Sequence, residues 1–351
     1  MVAPFGRLSG GEPADLLNLQ SNSSGLSVSV LTYGATVQSL KVPAAGRWVE
    51  TVVGFDDIAS YEGSSSYPGC IVGRLVNRVA GAAFRSGGRT YHLTANEGAN
   101  CLHGGTRGLS RRVWQVLPRQ DATDPIVMQY VSPDGEEGFP GTMRAAVSFA
   151  LSDPMSLVVR YRATVDRDCP VDLTHHLYFN LGGLPVEDHW LKIAGERVQE
   201  VDAHYLATGK TLSVHGTPFD LRMGRTLAQV QAGQHPQLTA IGLNQNWIAS
   251  ARGAAAATLM SPDGALAMEL HSDQPCLQVW AGLQRSVFAA GAVALEPQGY
   301  IDAVNHPALP SPWLRPGDVY ERSTVYRFRP PTEHELTLES LERHALRCKI
   351  R

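Results

Sequence analysis

The chain has few of the features that mark disulfide-rich or metal-stabilised proteins. Its 351 residues include five cysteines, at Cys70, Cys101, Cys169, Cys276 and Cys348. Their number is odd, their spacing is wide and none forms a Cys-x-x-Cys pair, which argues against both a disulfide framework and a structural zinc site. We therefore expect reduced thiols.

Long apolar runs and one-sided charge are also missing. Met1–Gln20 carries glycine, proline and acidic residues where a secretory signal needs an apolar run, and no later segment is apolar for long enough to span a bilayer. The net charge is −3 with 18% charged residues and no basic run, so neither a nucleic acid nor a membrane is an expected partner. We expect a soluble cytoplasmic protein, a monomer or homodimer, that acts on an uncharged small molecule.

The chain does contain many short apolar segments with period-two or β-branched patterns. These are Leu26–Leu31, Ile126–Val131, Met143–Leu151, Leu157–Val165, Leu277–Trp280, Ala292–Leu295 and Val319–Phe328. Glycine (34 residues) and proline (22) punctuate the chain between them, as in antiparallel strands joined by turns rather than in βαβ units. With 43% hydrophobic residues and no linker-like segment, the pattern predicts one all-β domain over residues 1–331, a large antiparallel β-sandwich.

The C-terminal segment, residues 332–351, departs from this pattern. Leu336, Leu338, Leu341 and Leu346 recur among charged residues at roughly helical spacing. We therefore predict a C-terminal tail that contains a short helix.

Asn77 and Arg78 end a segment that begins with a glycine, Gly73–Arg78. A planar guanidinium and an adjacent amide can hold sugar hydroxyls in fixed directions. The same two residues also fit a simpler interpretation, in which the arginine forms a surface salt bridge and the asparagine ends a turn.

Three histidines lie in two other short segments. His103 precedes two glycines, whose missing side chains would let a ligand approach the backbone. A hydrogen-bonded loop histidine is the simpler interpretation of that residue alone. His175 and His176 are adjacent in Thr174–Leu181, so on a strand they face opposite sides, only one can enter a shared site, and the two cannot chelate one metal ion together.

Glu296 follows the apolar run Ala292–Leu295, an unusual place for a carboxylate unless it is paired or catalytic. The alternative is a solubilising charge on an edge strand. The residues downstream that are candidates to orient it are Gln298, Tyr300, Asp302 and Asn305.

Together, these histidines and this carboxylate form an acid/base set. Histidine titrates near neutral pH and can donate a proton, while a carboxylate can accept one. Such a set supports concerted proton transfer without a metal or an organic cofactor. This chemistry suits the opening of a sugar ring.

Five ordered motifs resemble those of the aldose 1-epimerases, also called galactose mutarotases. They are Gly73–Arg78, Leu102–Gly105, Thr174–Leu181, Pro275–Trp280 and Leu295–Asn305. The resemblance runs from about Phe5 to Phe328, and several motifs in order are far more specific than any one. It implies a galactose mutarotase-like β-supersandwich that interconverts the α and β anomers of a free aldose and needs no cofactor.

The resemblance also implies a role for each candidate residue. Glu296 looks like the general base that takes the C1 hydroxyl proton, and His176 looks like the general acid that protonates the ring oxygen. After rotation about the C1–C2 bond, the two roles reverse. The other implied site residues are His103, which would stabilise charge near the ring oxygen, Asn77 and Arg78, which would hold hydroxyls, and Gln278, which would line the floor of the site.

Three positions depart from the family's usual pattern. His175 stands where the family usually has asparagine, Asn244 where it has a sugar-binding aspartate, and Pro297 where threonine is common. At residue 244 an acceptor-only carboxylate is exchanged for an amide that also donates. Asn244 is therefore a substrate-binding candidate, and we expect the preferred sugar to differ from galactose.

Three alternative functions fit parts of the pattern. A non-catalytic sugar-binding domain would keep the pocket and lose turnover, and an epimerase for an unusual hemiacetal would keep the chemistry. A metal-dependent hydrolase using His103, His176 and Glu296 would need supporting groups around its ligands and an open water position, which the local spacing does not indicate. We therefore predict an aldose 1-epimerase without a metal.

Overall fold

Antiparallel strands joined by tight turns form most of the regular structure. The computed structural model of the chain describes residues 2–249, 255–282 and 291–338. The strands in chain order are β1 Val2–Arg7, β2 Pro13–Gln20, β3 Ser27–Leu31, β4 Thr36–Ala44, β5 Arg47–Glu50, β6 Ile71–Val72, β7 Arg78–Val79, β8 Ala83–Ser86, β9 Arg89–His92, β10 Cys101–Leu102, β11 Gln115–Val116, β12 Ile126–Ser132, β13 Met143–Ser152, β14 Ser156–Val165, β15 Cys169–Pro170, β16 Thr174–His175, β17 Tyr178–Phe179, β18 Trp190–Ile193, β19 Arg197–Val201, β20 Ala207–Ser213, β21 Arg225–Thr226, β22 Asn244–Ile248, β23 Ala257–Met260, β24 Ala267–Ser272, β25 Cys276–Gly282, β26 Ala292–Gln298, β27 Trp313–Leu314 and β28 Tyr320–Arg329.

Helices are short and peripheral in the described part of the chain. The α-helices are α1 Ile58–Gly63, α2 Leu227–Gln231 and α3 Pro236–Ile241, and the 3₁₀ turns are Ala80–Ala82, Leu109–Arg111, Glu136–Gly138 and Val186–Asp188. Residues 333–338 are helical, which confirms the short C-terminal helix. Leu341 and Leu346 lie outside the described residues, and the division into a sandwich and a separate tail stays a prediction.

Three sheets carry the architecture of the described residues, and their neighbouring strands are antiparallel. One has the strand order β11-β12-β13-β14-β28-β24-β23-β18-β21, a second β17-β26-β25-β22-β19-β20, and a third β1-β2-β3-β4-β5. All seven apolar segments singled out in the sequence fall on strands of these sheets, with only Leu26 and Val319 lying one residue before their strand. The predicted all-β, antiparallel sandwich is confirmed.

The first two sheets share one hydrophobic core, and this packing decides which side chains face away from it. In β26, Val293 and Leu295 are fully buried in that core, as is Val279 of the neighbouring β25. Because side chains alternate along a strand, Glu296 and Gln278 project from the opposite face of the same sheet. The candidate site lies on that face.

The described cysteines, Cys70, Cys101, Cys169 and Cys276, are buried and free, as expected from their spacing, and Cys348 lies outside the described residues. Within the described ranges, no helix has the length and apolar character needed to cross a membrane.

Candidate active site

Strand register places His176, Glu296 and Gln278 in one row across neighbouring segments. β17 pairs with β26 so that Tyr178 lies opposite Ala294, and the antiparallel register puts position 176 beside position 296. On the other side, Gln278 of β25 lies directly opposite Glu296. His176 Nε2 is 3.5 Å from Glu296 Oε1, and both side chains are almost completely buried. The pairing of the strands thus brings the two candidate acid/base residues together.

Glu296 is not an edge-strand charge. It is 2% exposed, and β26 lies between β17 and β25, so the solubilising interpretation is wrong. Of the residues proposed to orient it, Gln298 is buried on the same face of β26 and stays a candidate, but the chain leaves the sheet after it. Tyr300 and Asp302 line a separate cavity of about 220 Å³, and Asp302 Oδ1 accepts a hydrogen bond from Asn305 Nδ2 at 2.8 Å.

His103 reaches the site through a reciprocal contact with Asn77. The backbone N–H of His103 donates to Asn77 O at 3.0 Å, and the backbone N–H of Asn77 donates to His103 Nδ1 at 3.2 Å. Since Nδ1 accepts, the neutral ring carries its proton on Nε2. Both residues have positive φ, 51° for His103, which lies in a turn, and 61° for Asn77, which lies at a bend directly before β7.

The glycines after His103 serve chain packing and not ligand access. A Cβ added to Gly104 would lie 1.8 Å from the carbonyl oxygen of Gly73, and one added to Gly105 would lie 2.2 Å from a carboxylate oxygen of Glu137. The sequence-based explanation of these glycines is therefore wrong. Gly104 lets the His103 loop pack against the Gly73–Arg78 segment, which brings the two motifs together, and Gly105 leaves room for the Glu137 side chain.

Arg78 forms a salt bridge and also lines the candidate site. Its Nε and Nη2 donate to the two carboxylate oxygens of Glu97, each at 2.6 Å. This is a salt bridge, but the arginine side chain is only 12% exposed and lines the same cavity as the acid/base pair. Arg74, in the same motif, is a core residue, 2% exposed and bonded to Ser132.

Asn244 of β22 and Gln278 of β25 contact each other diagonally, since the register pairs Asn244 with Trp280 and Gln278 with Asn246. Gln278 Nε2 donates to Asn244 Oδ1 at 2.6 Å and lies 3.4 Å from the Val279 carbonyl oxygen. Two acceptors around one atom identify it as the amide nitrogen. Asn244 therefore keeps its Nδ2 donors for a ligand, while Gln278 Oε1 has no partner among the described residues.

His175 belongs to the core and not to the site. Its Nδ1 lies 2.9 Å from the Tyr161 hydroxyl and its Nε2 3.0 Å from the Ala35 carbonyl oxygen. The ring also packs edge-on against Phe149 at 5.3 Å. His175 therefore packs in the core beneath the site.

Aromatic residues that the sequence analysis did not select complete the cavity. Tyr178 stacks on the His176 ring at 4.8 Å, Tyr67 contacts the His103 ring edge-on at 4.9 Å, and Tyr205 lies under the Arg78 guanidinium at 4.7 Å. The cavity measures about 330 Å³ and is lined by all seven predicted site residues, together with Ser65, Ser66, Tyr67, Glu97, Leu102, Tyr178, Tyr205 and Trp280. Its size and mixed lining are typical of a small-molecule site.

Asp172, also missed in the sequence, ties the segments of the site together. Its backbone N–H donates to the Arg74 carbonyl oxygen at 2.8 Å, and its Oδ2 accepts from the Gly299 N–H at 2.8 Å. These bonds join the segments that carry Arg78, His176 and Glu296. A lone aspartate before Thr174–Leu181 offered no signal of this role.

Burial controls protonation in the cavity. Burial raises the pKa of Glu296 to about 8, and the positive charge of Arg78 opposes this rise. Burial lowers the pKa of His176 to about 3, and it lowers the pKa of His103 well below its ordinary value. At neutral pH the His176–Glu296 pair therefore holds one proton, which burial places on Glu296 in the ligand-free site.

His103, His176 and Glu296 are also close enough to be considered as metal ligands, since one ligand atom from each lies within 4.8 Å of the others. The donor set fits a metal poorly. A histidine ligand normally donates its second ring N–H to an acceptor, whereas His103 Nδ1 accepts from Asn77 and its proton is left on Nε2, where a metal would need a lone pair.

Comparison with known proteins points to one family. The family model described as Aldose 1-epimerase matches residues 15–327. Aldose 1-epimerase of Escherichia coli (strain K12) is 32% identical over 339 residues, covering 91% of this chain and 96% of that protein. Galactose mutarotase of Homo sapiens is 35% identical over 344 residues, covering 93% of this chain and 97% of that protein.

Solved structures agree at the level of the fold. The crystal structure of an aldose epimerase homologue from C. elegans has a TM-score of 0.83 and 28% identity, covering 91% of this chain and 100% of that chain. That of galactose 1-epimerase from Lactobacillus acidophilus NCFM has a TM-score of 0.84 and 22% identity, covering 95% of this chain and 99% of that chain.

Proposed function

Because the chain belongs to the aldose 1-epimerase family and is an enzyme that interconverts aldose anomers, we propose that His176 and Glu296 carry out its proton transfers. The observation that carries this proposal is the 3.5 Å contact between His176 Nε2 and Glu296 Oε1 inside a buried, aromatic-lined cavity. A pair that shares one proton can accept at one sugar oxygen while it donates at another.

In the proposed cycle, Glu296 takes the proton of the C1 hydroxyl and His176 protonates the ring oxygen, which breaks the C1–O5 bond. After rotation about C1–C2, His176 removes that proton and Glu296 returns one to the oxygen at C1. The resting site has its proton on Glu296, so the working arrangement needs transfer to His176. Arg78 favours this transfer because its positive charge stabilises the Glu296 carboxylate.

The other cavity residues hold the sugar in this proposal. His103 donates from Nε2 to the charge that develops near the ring oxygen. Asn77 and Arg78 bind hydroxyls, and Gln278 offers its Oε1 as an acceptor on the floor. Asn244 donates where the family's usual aspartate would accept, so we propose that galactose is a poor substrate and that a pentose, a modified aldose or an unusual hemiacetal fits better.

Glu296→Gln tests the acid/base pair directly. The amide keeps the shape of the protonated carboxyl but cannot cycle a proton, so anomer interconversion measured by polarimetry should fall by ~10²–10⁴. Sugar binding, followed by intrinsic tryptophan fluorescence, should persist. Wild-type turnover in this variant would remove Glu296 from the mechanism, and binding without turnover in the native protein would favour a non-catalytic sugar-binding domain.

The metal-dependent alternative has a separate test. Prolonged dialysis against EDTA should leave the native activity unchanged, and elemental analysis of the purified protein should find no stoichiometric metal. Loss of activity that zinc restores would show that His103, His176 and Glu296 act as ligands.

A cytoplasmic location and a monomeric or homodimeric form stay predictions. The buried free thiols are compatible with a reducing compartment. Size-exclusion chromatography with light scattering would establish the oligomeric state.

A further inference from the structure

Glu97 lies outside every motif singled out in the sequence, yet it makes the strongest polar contacts at the edge of the cavity. Its two carboxylate oxygens accept from Arg78 Nε and Nη2, each at 2.6 Å. A two-point, charge-assisted contact of this kind restricts the plane of the guanidinium. The arginine side chain is 12% exposed, so the pair is better shielded from solvent than an ordinary surface ion pair.

The remaining contacts restrict how Arg78 can bind a ligand. Tyr205 covers one face of the guanidinium at 4.7 Å. Nη1 lies 3.4 Å from Asn77 Oδ1, which also accepts from the Arg78 backbone N–H at 3.0 Å. Nε and one N–H of Nη2 are bonded to Glu97, and Nη1 donates to Asn77, so the second N–H of each terminal nitrogen is left to donate to a sugar hydroxyl.

The segment that carries Glu97 is itself well anchored. Its backbone N–H donates to Asn100 O at 3.2 Å, and the Asn100 N–H donates back to Glu97 O at 2.9 Å. The neighbouring Asn96 accepts from the Leu102 N–H at 2.7 Å and donates to its carbonyl oxygen at 2.9 Å. Leu102 immediately precedes His103, so one short loop holds both the arginine and the histidine.

Charge gives Glu97 a second effect. The ionisable groups around Glu296 are His176, His103, Arg78, Cys70, Tyr178 and Tyr326. Arg78 is the permanent cation of this set, and its charge favours the ionised form of Glu296. The Glu97 carboxylate beside it offsets part of that charge.

We propose that Glu97 is a positioning residue of this enzyme, which holds the terminal N–H groups of Arg78 toward the sugar and offsets the arginine charge so that the His176–Glu296 pair works with one proton at neutral pH. The proposal rests on the proposed function of that pair. Sequence reasoning passed over Glu97 because a half-exposed glutamate in a loop carries no pattern.

The test uses Glu97→Gln, which removes the charge but keeps the size, with Glu97→Asp as the conservative variant. Glu321→Gln is the matched control, because it breaks an exposed ion pair with Arg162 whose N···O distance is 3.4 Å. For Glu97→Gln we expect KM to rise about 3- to 30-fold, as for loss of a charge-assisted contact. We also expect the alkaline fall in kcat/KM to move to lower pH by about half a unit or more.

In Glu97→Asp, the pH at which kcat/KM falls on the alkaline side should return closer to the wild-type value than KM does. Glu321→Gln should match the wild type in both quantities. A folded Glu97→Gln protein with wild-type KM and an unmoved alkaline limb would overturn the inference. So would an equal loss of kcat/KM at every pH together with a lowered Tm, because that pattern means a purely structural role.

Failure of the proposed function gives a different result. In that case the wild type itself shows no turnover or no alkaline limb. The dissociation constant of the sugar, measured by fluorescence, then still tests the positioning of Arg78. Unchanged sugar affinity in Glu97→Gln would reject it, and weakened affinity would support it.

Discussion

His175 and His176 are adjacent in the chain, equally deep in the protein and opposite in surroundings. Exposure is 0% for His175 and 4% for His176. Burial lowers the pKa of His175 to about 4 and that of His176 to about 3. Neither exposure nor pKa tells the two apart.

The difference lies in what the ring nitrogens meet. Both nitrogens of His175 have hydrogen-bond partners, the Tyr161 hydroxyl and the Ala35 carbonyl oxygen. His176 has the Glu296 carboxylate at 3.5 Å, and its Nδ1 has no partner within the described residues. A histidine whose hydrogen bonds are all made stabilises the fold, whereas one left incompletely bonded in a cavity is available for chemistry.

His176→Asn should have the largest effect. It removes one member of the acid/base pair, so we expect anomer interconversion to fall by ~10²–10⁴ while the Tm changes little. His175→Asn is the paired control, because it makes the same substitution at the neighbouring residue and leaves His176 in place. If the loss of activity follows residue 175 and not residue 176, the assignment of the two histidines is reversed.

The pH dependence of kcat/KM tests whether the pair works with one proton. The pKa of Glu296 is raised to about 8, so the pair keeps its proton below that pH and loses it above. We expect a flat profile between pH 5 and 7 and a decline approaching tenfold per pH unit above about pH 8. The hydroxide-catalysed background must be subtracted from each rate. A rate that keeps rising to pH 10 would contradict the one-proton pair.

His175→Asn should reduce stability and spare chemistry. Asparagine is too short to reach both Tyr161 and Ala35, so one buried polar group loses its partner and the contact with Phe149 is lost. We expect a decrease of ~1–3 kcal/mol in the free energy of unfolding, with kcat/KM within a few-fold of wild type. Urea denaturation measures the free energy of unfolding, and polarimetry measures kcat/KM. An unchanged midpoint would mean that the core adapts to the shorter residue.

Asn244→Asp should have the smallest effect. It should change which sugar the enzyme prefers and not lower its turnover of all sugars. The carboxylate keeps the bond from Gln278 Nε2 but replaces the Nδ2 donors with an acceptor. We expect kcat/KM for galactose to rise about 2- to 30-fold relative to the native preferred sugar. Rates over galactose, glucose, xylose, arabinose and fucose check this. If the native protein turns over galactose as well as the other aldoses and the variant shows the same preference, residue 244 does not contribute to recognition of the sugar.

Local sequence patterns predicted much of the fold and singled out the candidate histidines and Glu296. Alternating apolar residues predicted the strands because a sheet buries one face, and the isolated position of Glu296 after an apolar run marked it as unusual. The glycines after His103 were recognised but misread, because only the opposing Gly73 carbonyl and Glu137 carboxylate reveal why a side chain is excluded there.

The sequence by itself determined an all-β chain that carries two histidines and a carboxylate suited to proton transfer, since period and residue type are local properties. Local pattern left open which of His175 and His176 enters the site; the family resemblance pointed to His176, and the register between β17 and β26 places it beside Glu296. Only the tertiary structure decided that Glu97, Tyr67, Tyr178 and Tyr205 surround the cavity. Contacts between residues distant in sequence are made by packing, and no local pattern records them.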